Sequence, residues 1–121
     1  MKLSICSYTF EPLTSSGKMD CFGYLETCRY RYGLSGAELW NGTLASLDKD
    51  YLIKVKEGLD EREMELACLT VDGPYLWDDK LEVREQHYQQ MLEFLKAAEL
   101  LGARAVRIDA GGGHQDMKWS K

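Results

Sequence analysis

Apolar and polar residues alternate with a period of two over 2–8, 36–40, 65–72 and 105–110, the spacing of β-strands. Leu3 and Ile5 oppose Ser4, Cys6 and Tyr8 in the first stretch, and Ala37 and Leu39 oppose Glu38 and Trp40 in the second. Ala67, Leu69 and Val71 oppose Cys68, Thr70 and Asp72 in the third; Val106, Ile108 and Ala110 oppose Arg107 and Asp109 in the fourth. Between these stretches the period becomes helical. One helix is predicted from an Asp20 N-cap, with Cys21, Leu25, Cys28 and Tyr32 on one face and a stop at Gly33. A second opens at Asp48 with Leu52, Val55 and Leu59 inward, its last turn weakened by Gly58. The third runs from Leu81 to Leu101, with Tyr88, Met91, Leu92, Leu95 and Ala98 inward and Gly102 as its C-terminal stop.

The predicted order is β-α-β-α-β-α-β, and helical crossovers of this kind join parallel strands with right-handed chirality. A parallel sheet covered by helices on both faces reads as continuous apolar runs, whereas these strands alternate. One face takes the helices and the other is polar, as inside a (β/α) barrel near the carboxyl ends of its strands. The expectation is an α/β fold, a partial (β/α)8 TIM barrel of four strands and three helices over residues 1–121. A closed barrel has eight strands, so this reading makes the chain the N-terminal half of one, stopping where a fourth helix would begin.

Composition narrows the partners. Fifteen Lys and Arg stand against twenty Asp and Glu, a net charge of -5, the wrong sign for gathering nucleic-acid phosphates or an anionic membrane surface. No apolar run is long enough for a transmembrane helix and the start lacks a secretory apolar region, so a cytoplasmic protein is expected. Cys6, Cys21, Cys28 and Cys68 form no CxxC pair and read as reduced, buried thiols.

The polar face supplies the candidate chemistry. Glu38 and Arg107 fall on alternate strands and are expected to meet, as a structural ion pair or as a substrate contact. Asp72 and Asp109 close their strands, where they either reach substrate hydroxyls or cap a turn. Gly111-Gly112-Gly113-His114 follows the last strand; its N–H groups are placed to face an anion such as a sugar phosphate, or it is simply a loop, and His114 lies on the substrate side. Tyr8, Trp40, Tyr75 and Trp77 are expected on the rim, as flat faces for sugar C–H groups or as ordinary packing. His87, within the third helix, reads as solvated.

Several segments carry a family resemblance: Met1-Lys2-Leu3-Ser4-Ile5-Cys6-Ser7-Tyr8, then Gly33-Leu34-Ser35-Gly36-Ala37-Glu38-Leu39-Trp40, the 66–72 strand, and the run from Ala97 through Leu101-Gly102 to Arg107. Together, over essentially the whole chain, they resemble the first half of the xylose isomerase-like TIM barrels, the sugar phosphate isomerases and epimerases. The resemblance implies a divalent-metal enzyme (Mn, Mg, Co or Zn) that moves a proton beside a sugar carbonyl, the metal polarising oxygens while a carboxylate takes the proton. It also implies that the metal ligands come from later strands, so that this chain alone holds no metal and is inactive. The expected ligand is a sugar or sugar phosphate, with Tyr8, Glu38, Trp40, Asp72, Arg107, Asp109 and His114 as contacts. A second reading is a non-enzymatic half-barrel that binds a partner or self-associates through its open sheet edges.

Overall fold

The computed structural model describes residues 1–111. A 3-10 turn, Ser7–Phe10, leads into α1 (Glu11–Ser15), and α2 (Cys21–Glu26) continues as a π-helical turn over Thr27–Arg31. Then come β1 (Gly36–Trp40), α3 (Lys49–Glu61), β2 (Glu65–Thr70), α4 (Leu81–Leu101) and β3 (Ala105–Arg107). The three strands form an open parallel sheet in the order β1-β2-β3. This is a small α/β protein in which a single core joins helices to sheet, with Leu25, Leu39, Val55, Leu59, Leu69 and Leu101 all buried.

The expected strand over 2–8 does not form. Cys6 makes one isolated parallel bridge to Glu38 and the chain then turns at Ser7. The cause lies in α2: the Tyr24 side chain, fully buried, inserts its hydroxyl between the segment and β1, accepting the Glu38 N–H at 2.9 Å and donating to the Ile5 carbonyl. One step further on, the Ser7 hydroxyl accepts the Trp40 N–H at 2.8 Å. Two side-chain hydroxyls thus stand where ladder bonds would run. Gly36 serves the same close approach, since a Cβ there would lie 2.8 Å from the Leu3 carbonyl oxygen.

Three face assignments also change. The π turn in α2 inserts an extra residue, so Cys21, Leu25 and Cys28 are buried as expected while Tyr32 is turned out. In α4 the buried residues are Met91, Ala97, Ala98 and Leu101; Tyr88 and Leu95, expected inward, are exposed with Leu81. The helix carries more apolar positions than its packed face uses, and the seven-residue row 81, 88, 95 falls outside that face. In β2 the register against β1 slips at a bulge: Ala37 pairs with Leu66, but Glu38 pairs with Cys68. Ala67 is the surplus residue, so Leu66 and Leu69 are both buried although an odd number of steps separates them.

β2 ends at Thr70 and β3 at Arg107, short of the expected Asp72 and Ala110. No described helix is long and apolar enough to cross a membrane.

Candidate functional site

The carboxyl ends of the strands carry a polar surface whose layout follows from the register. Glu38 pairs with Cys6 on one side and Cys68 on the other, while Trp40, Thr70 and Arg107 form the next row up. Arg107 is therefore one row above Glu38, and the expected contact between them is not made. Among the described residues Glu38 instead accepts a hydrogen bond at 3.1 Å from the buried Thr70 hydroxyl. Arg107 spans the two strand-end carboxylates, donating from Nη1 to Asp72 at 2.8 Å and from Nη2 to Asp109 at 2.9 Å. These bonds, Asp72 first, hold the guanidinium pKa above its ordinary value.

Asp72 is held in place by its backbone. Asn41, directly after β1, donates from its amide to the Asp72 carbonyl at 2.8 Å and accepts the Asp72 N–H at 3.1 Å. An amide side chain thus continues the β1–β2 pairing past the last strand residue and sets the height of the Asp72 carboxylate.

The aromatic side of the site is built from Tyr8 and Trp40, whose rings meet edge to face with centroids 5.0 Å apart. The Trp40 ring lies directly over Gly42, where a Cβ would come within 2.1 Å of it; only glycine allows this placement. Tyr8 sits on the 3-10 turn rather than on a strand and is 56% exposed. Ser7 and Thr43, both buried, share a 2.7 Å hydrogen bond beneath this pair.

Tyr75 and Trp77 belong to the loop between β2 and α4. The Arg84 guanidinium lies 3.7 Å from the Trp77 ring centroid and donates to the Asp78 carbonyl. His87, read from sequence as solvated, bonds the Tyr75 carbonyl through Nδ1 at 2.8 Å and packs its ring against Tyr75. The loop also pairs with the end of the last strand, Trp77 donating to the Ala110 carbonyl at 2.8 Å. His114 and most of the glycine run lie outside the described residues.

The structure thus brings Asp72, Arg107 and Asp109 into one cluster, places Glu38 against Thr70, and joins Tyr8 to Trp40. Sequence reasoning missed Asn41, Ser7 and Tyr24. The Asn-Gly pair after β1 was a visible turn signal, but no pattern marks a helical tyrosine that reaches into a sheet.

The cysteines are free thiols. Burial raises the Cys6 pKa, with the neighbouring Glu38 charge adding to the rise, so this thiol is held protonated beside the site. The metal implied by the resemblance finds no fit here: among the described residues no group of three or more His, Cys, Asp or Glu is arranged to hold an ion, and Asp72 and Asp109 converge on a guanidinium. No protein-family model matches the chain, and no curated protein matches it in sequence.

Proposed function

We propose that this chain is the N-terminal part of a (β/α) barrel sugar isomerase or epimerase, and that its polar face is the wall that holds the sugar. The observation that carries this reading is the Asp72–Arg107–Asp109 cluster beside Glu38, gathered at the carboxyl ends of parallel strands, where barrel active sites lie. The open sheet and the sequence resemblance described above support it.

The described residues suit binding and orientation. The carboxylates of Glu38, Asp72 and Asp109 accept hydrogen bonds from sugar hydroxyls, and the Tyr8–Trp40 pair offers a ring face to C–H groups. Arg107 keeps the two aspartates at fixed separation. Proton transfer at carbon needs a base within reach of the C–H bond, and of the three carboxylates Glu38 is the one with no cation partner among the described residues. In this reading the residues that contact the sugar carbonyl, and any that hold the expected divalent ion, would come from strands beyond those described.

The test is an isomerase and epimerase assay of the whole natural polypeptide on ketoses and aldoses, with Mn²⁺, with Mg²⁺ and with chelator. Turnover that falls at least about a hundredfold in Glu38→Gln, while the variant keeps its circular dichroism spectrum, supports the reading. Turnover unaffected by that change removes Glu38 from the chemistry, and inactivity on every sugar with every metal sinks the isomerase proposal.

A second reading, a self-associating half-barrel, has one observation in its favour. Ile108 follows β3 and is 42% exposed at the sheet's open side. It requires a concentration-dependent mass in solution; a constant monomeric mass rejects it.

A further inference from the structure

We infer that the sugar taken by this site is neutral rather than phosphorylated. The inference rests on the proposed sugar-binding function and deepens it by naming the substrate class. Among the described residues three carboxylates, Glu38, Asp72 and Asp109, line the polar face with one guanidinium, and both terminal nitrogens of that guanidinium are engaged by aspartates. An incoming phosphate would have to displace a carboxylate from Arg107 and then sit beside it.

The helix ends give an independent argument. In a parallel α/β fold the helix N-termini open at the same end of the sheet as the site, and their free N–H groups are the usual seat of a phosphate. Here each such terminus carries its own anion. Asp20 caps α2, accepting the Gly23 N–H at 2.7 Å. Asp48 precedes α3, with Asp50 in its first turn. Asp78 and Asp79 precede α4, whose first turn holds Glu82.

Among the described residues the nearby cations do not reverse this field: Lys49 and Lys80, at the starts of α3 and α4, are outnumbered by Asp48 and Asp50 and by Asp78, Asp79 and Glu82. Lys18 lines its groove together with Asp20, and Arg84 is folded over the Trp77 ring. What remains attractive is a ligand rich in hydroxyl donors with an apolar C–H face, which suits carboxylate acceptors beside the Tyr8–Trp40 rings.

The experiment is calorimetric titration of the whole natural polypeptide with fructose and with fructose 6-phosphate, and with ribulose and ribulose 5-phosphate, at low and high salt. The neutral sugar of at least one pair should bind, and its phosphate ester should bind at least about tenfold more weakly, as like charges require. Raising the salt should narrow that gap by screening the repulsion. Asp109→Asn, which removes one negative charge from beside Arg107, should narrow it severalfold; the salt series on the unaltered protein carries the test if that variant does not fold. A phosphate ester that binds as tightly as its neutral partner, or more tightly, overturns the inference and leaves the sugar-binding reading standing. Failure of all four compounds to bind overturns both.

Discussion

Tyr24 sits on α2, yet its hydroxyl is seated within the plane of the sheet, where it accepts the Glu38 N–H and donates to the Ile5 carbonyl. Removing the oxygen takes a partner from two part-buried backbone groups, each a cost of up to about 1–3 kcal/mol. Tyr24→Phe should therefore lower the unfolding free energy by roughly 2 kcal/mol and speed amide exchange at Glu38, measured by denaturant unfolding and hydrogen exchange. Unchanged protection at Glu38 would mean that the hydroxyl does not tie the segment to β1. A second residue-scale consequence concerns alkali. Burial, then the neighbouring Asp20 charge, pushes the Cys21 thiol up to about 12 from its ordinary 9.0. A thiol whose folded pKa is raised adds stability that is complete below the unfolded value and is lost as pH climbs towards the folded one. Stability should fall between about pH 9 and 12, and Cys21→Ala should flatten that slope by about one proton. Stability curves from pH 8 to 11 check this, and an unaltered slope would put the titration elsewhere, for instance on Tyr24 or Cys28, which burial raises in the same direction. At this scale the sequence shows which residues line the polar face, because alternation assigns sides. It does not show which of them touch. Glu38 and Arg107 share a face but stand in different rows, and the row depends on a pairing register that no single strand encodes.

Among the elements, those with strong local signals were legible. α4 spans Leu81–Leu101 as read from its periodicity, α3 begins after Asp48, and β1 covers Gly36–Trp40. Gly102 ends α4 with φ 72°, and the Ala103 N–H bonds the Ala98 carbonyl at 2.9 Å, closing a Schellman turn. Gly102→Ala should cost about 1 kcal/mol through the left-handed backbone alone, since its Cβ would meet nothing closer than 3.7 Å. Gly102→Asn should cost less; equal losses for the two, read by thermal unfolding, would point to a packing defect instead. What local signal did not reveal was decided by tertiary contacts. α3 runs to Glu61, past Gly58, because the space left by the missing side chain is filled by the Phe22 ring, 3.3 Å from where a Cβ would stand. The 2–8 segment has the alternation of a strand, yet hydroxyls from α2 and from Ser7 replace its ladder. The short helix α1, which carries a proline in its first turn, lacks the length for a periodic pattern and was not anticipated.

For the molecule as a whole, the charge balance and the fold point the same way. Acidic side chains stand at the carboxyl end of the sheet, at the strand ends and the helix starts alike, a placement that composition alone cannot show. The α/β class was legible because four alternating stretches separated by helical ones leave few other topologies. The three described strands form an open sheet. The bulge at Ala67 has a consequence for how the gene can change length. Losing one residue from a strand ordinarily turns every later side chain to the wrong face. In β2 the surplus residue already interrupts the alternation, and deleting Ala67 would leave Leu66, Cys68 and Leu69 matched one-to-one with Ala37, Glu38 and Leu39. A codon lost here should leave a folded protein, with the connection through Glu63 and Met64 stretched by about 3.3 Å, whereas a codon lost at Leu69 should abolish folding. Soluble expression and circular dichroism of the two deletions would show whether β2 has one position at which its reading frame can shorten without turning the core outward.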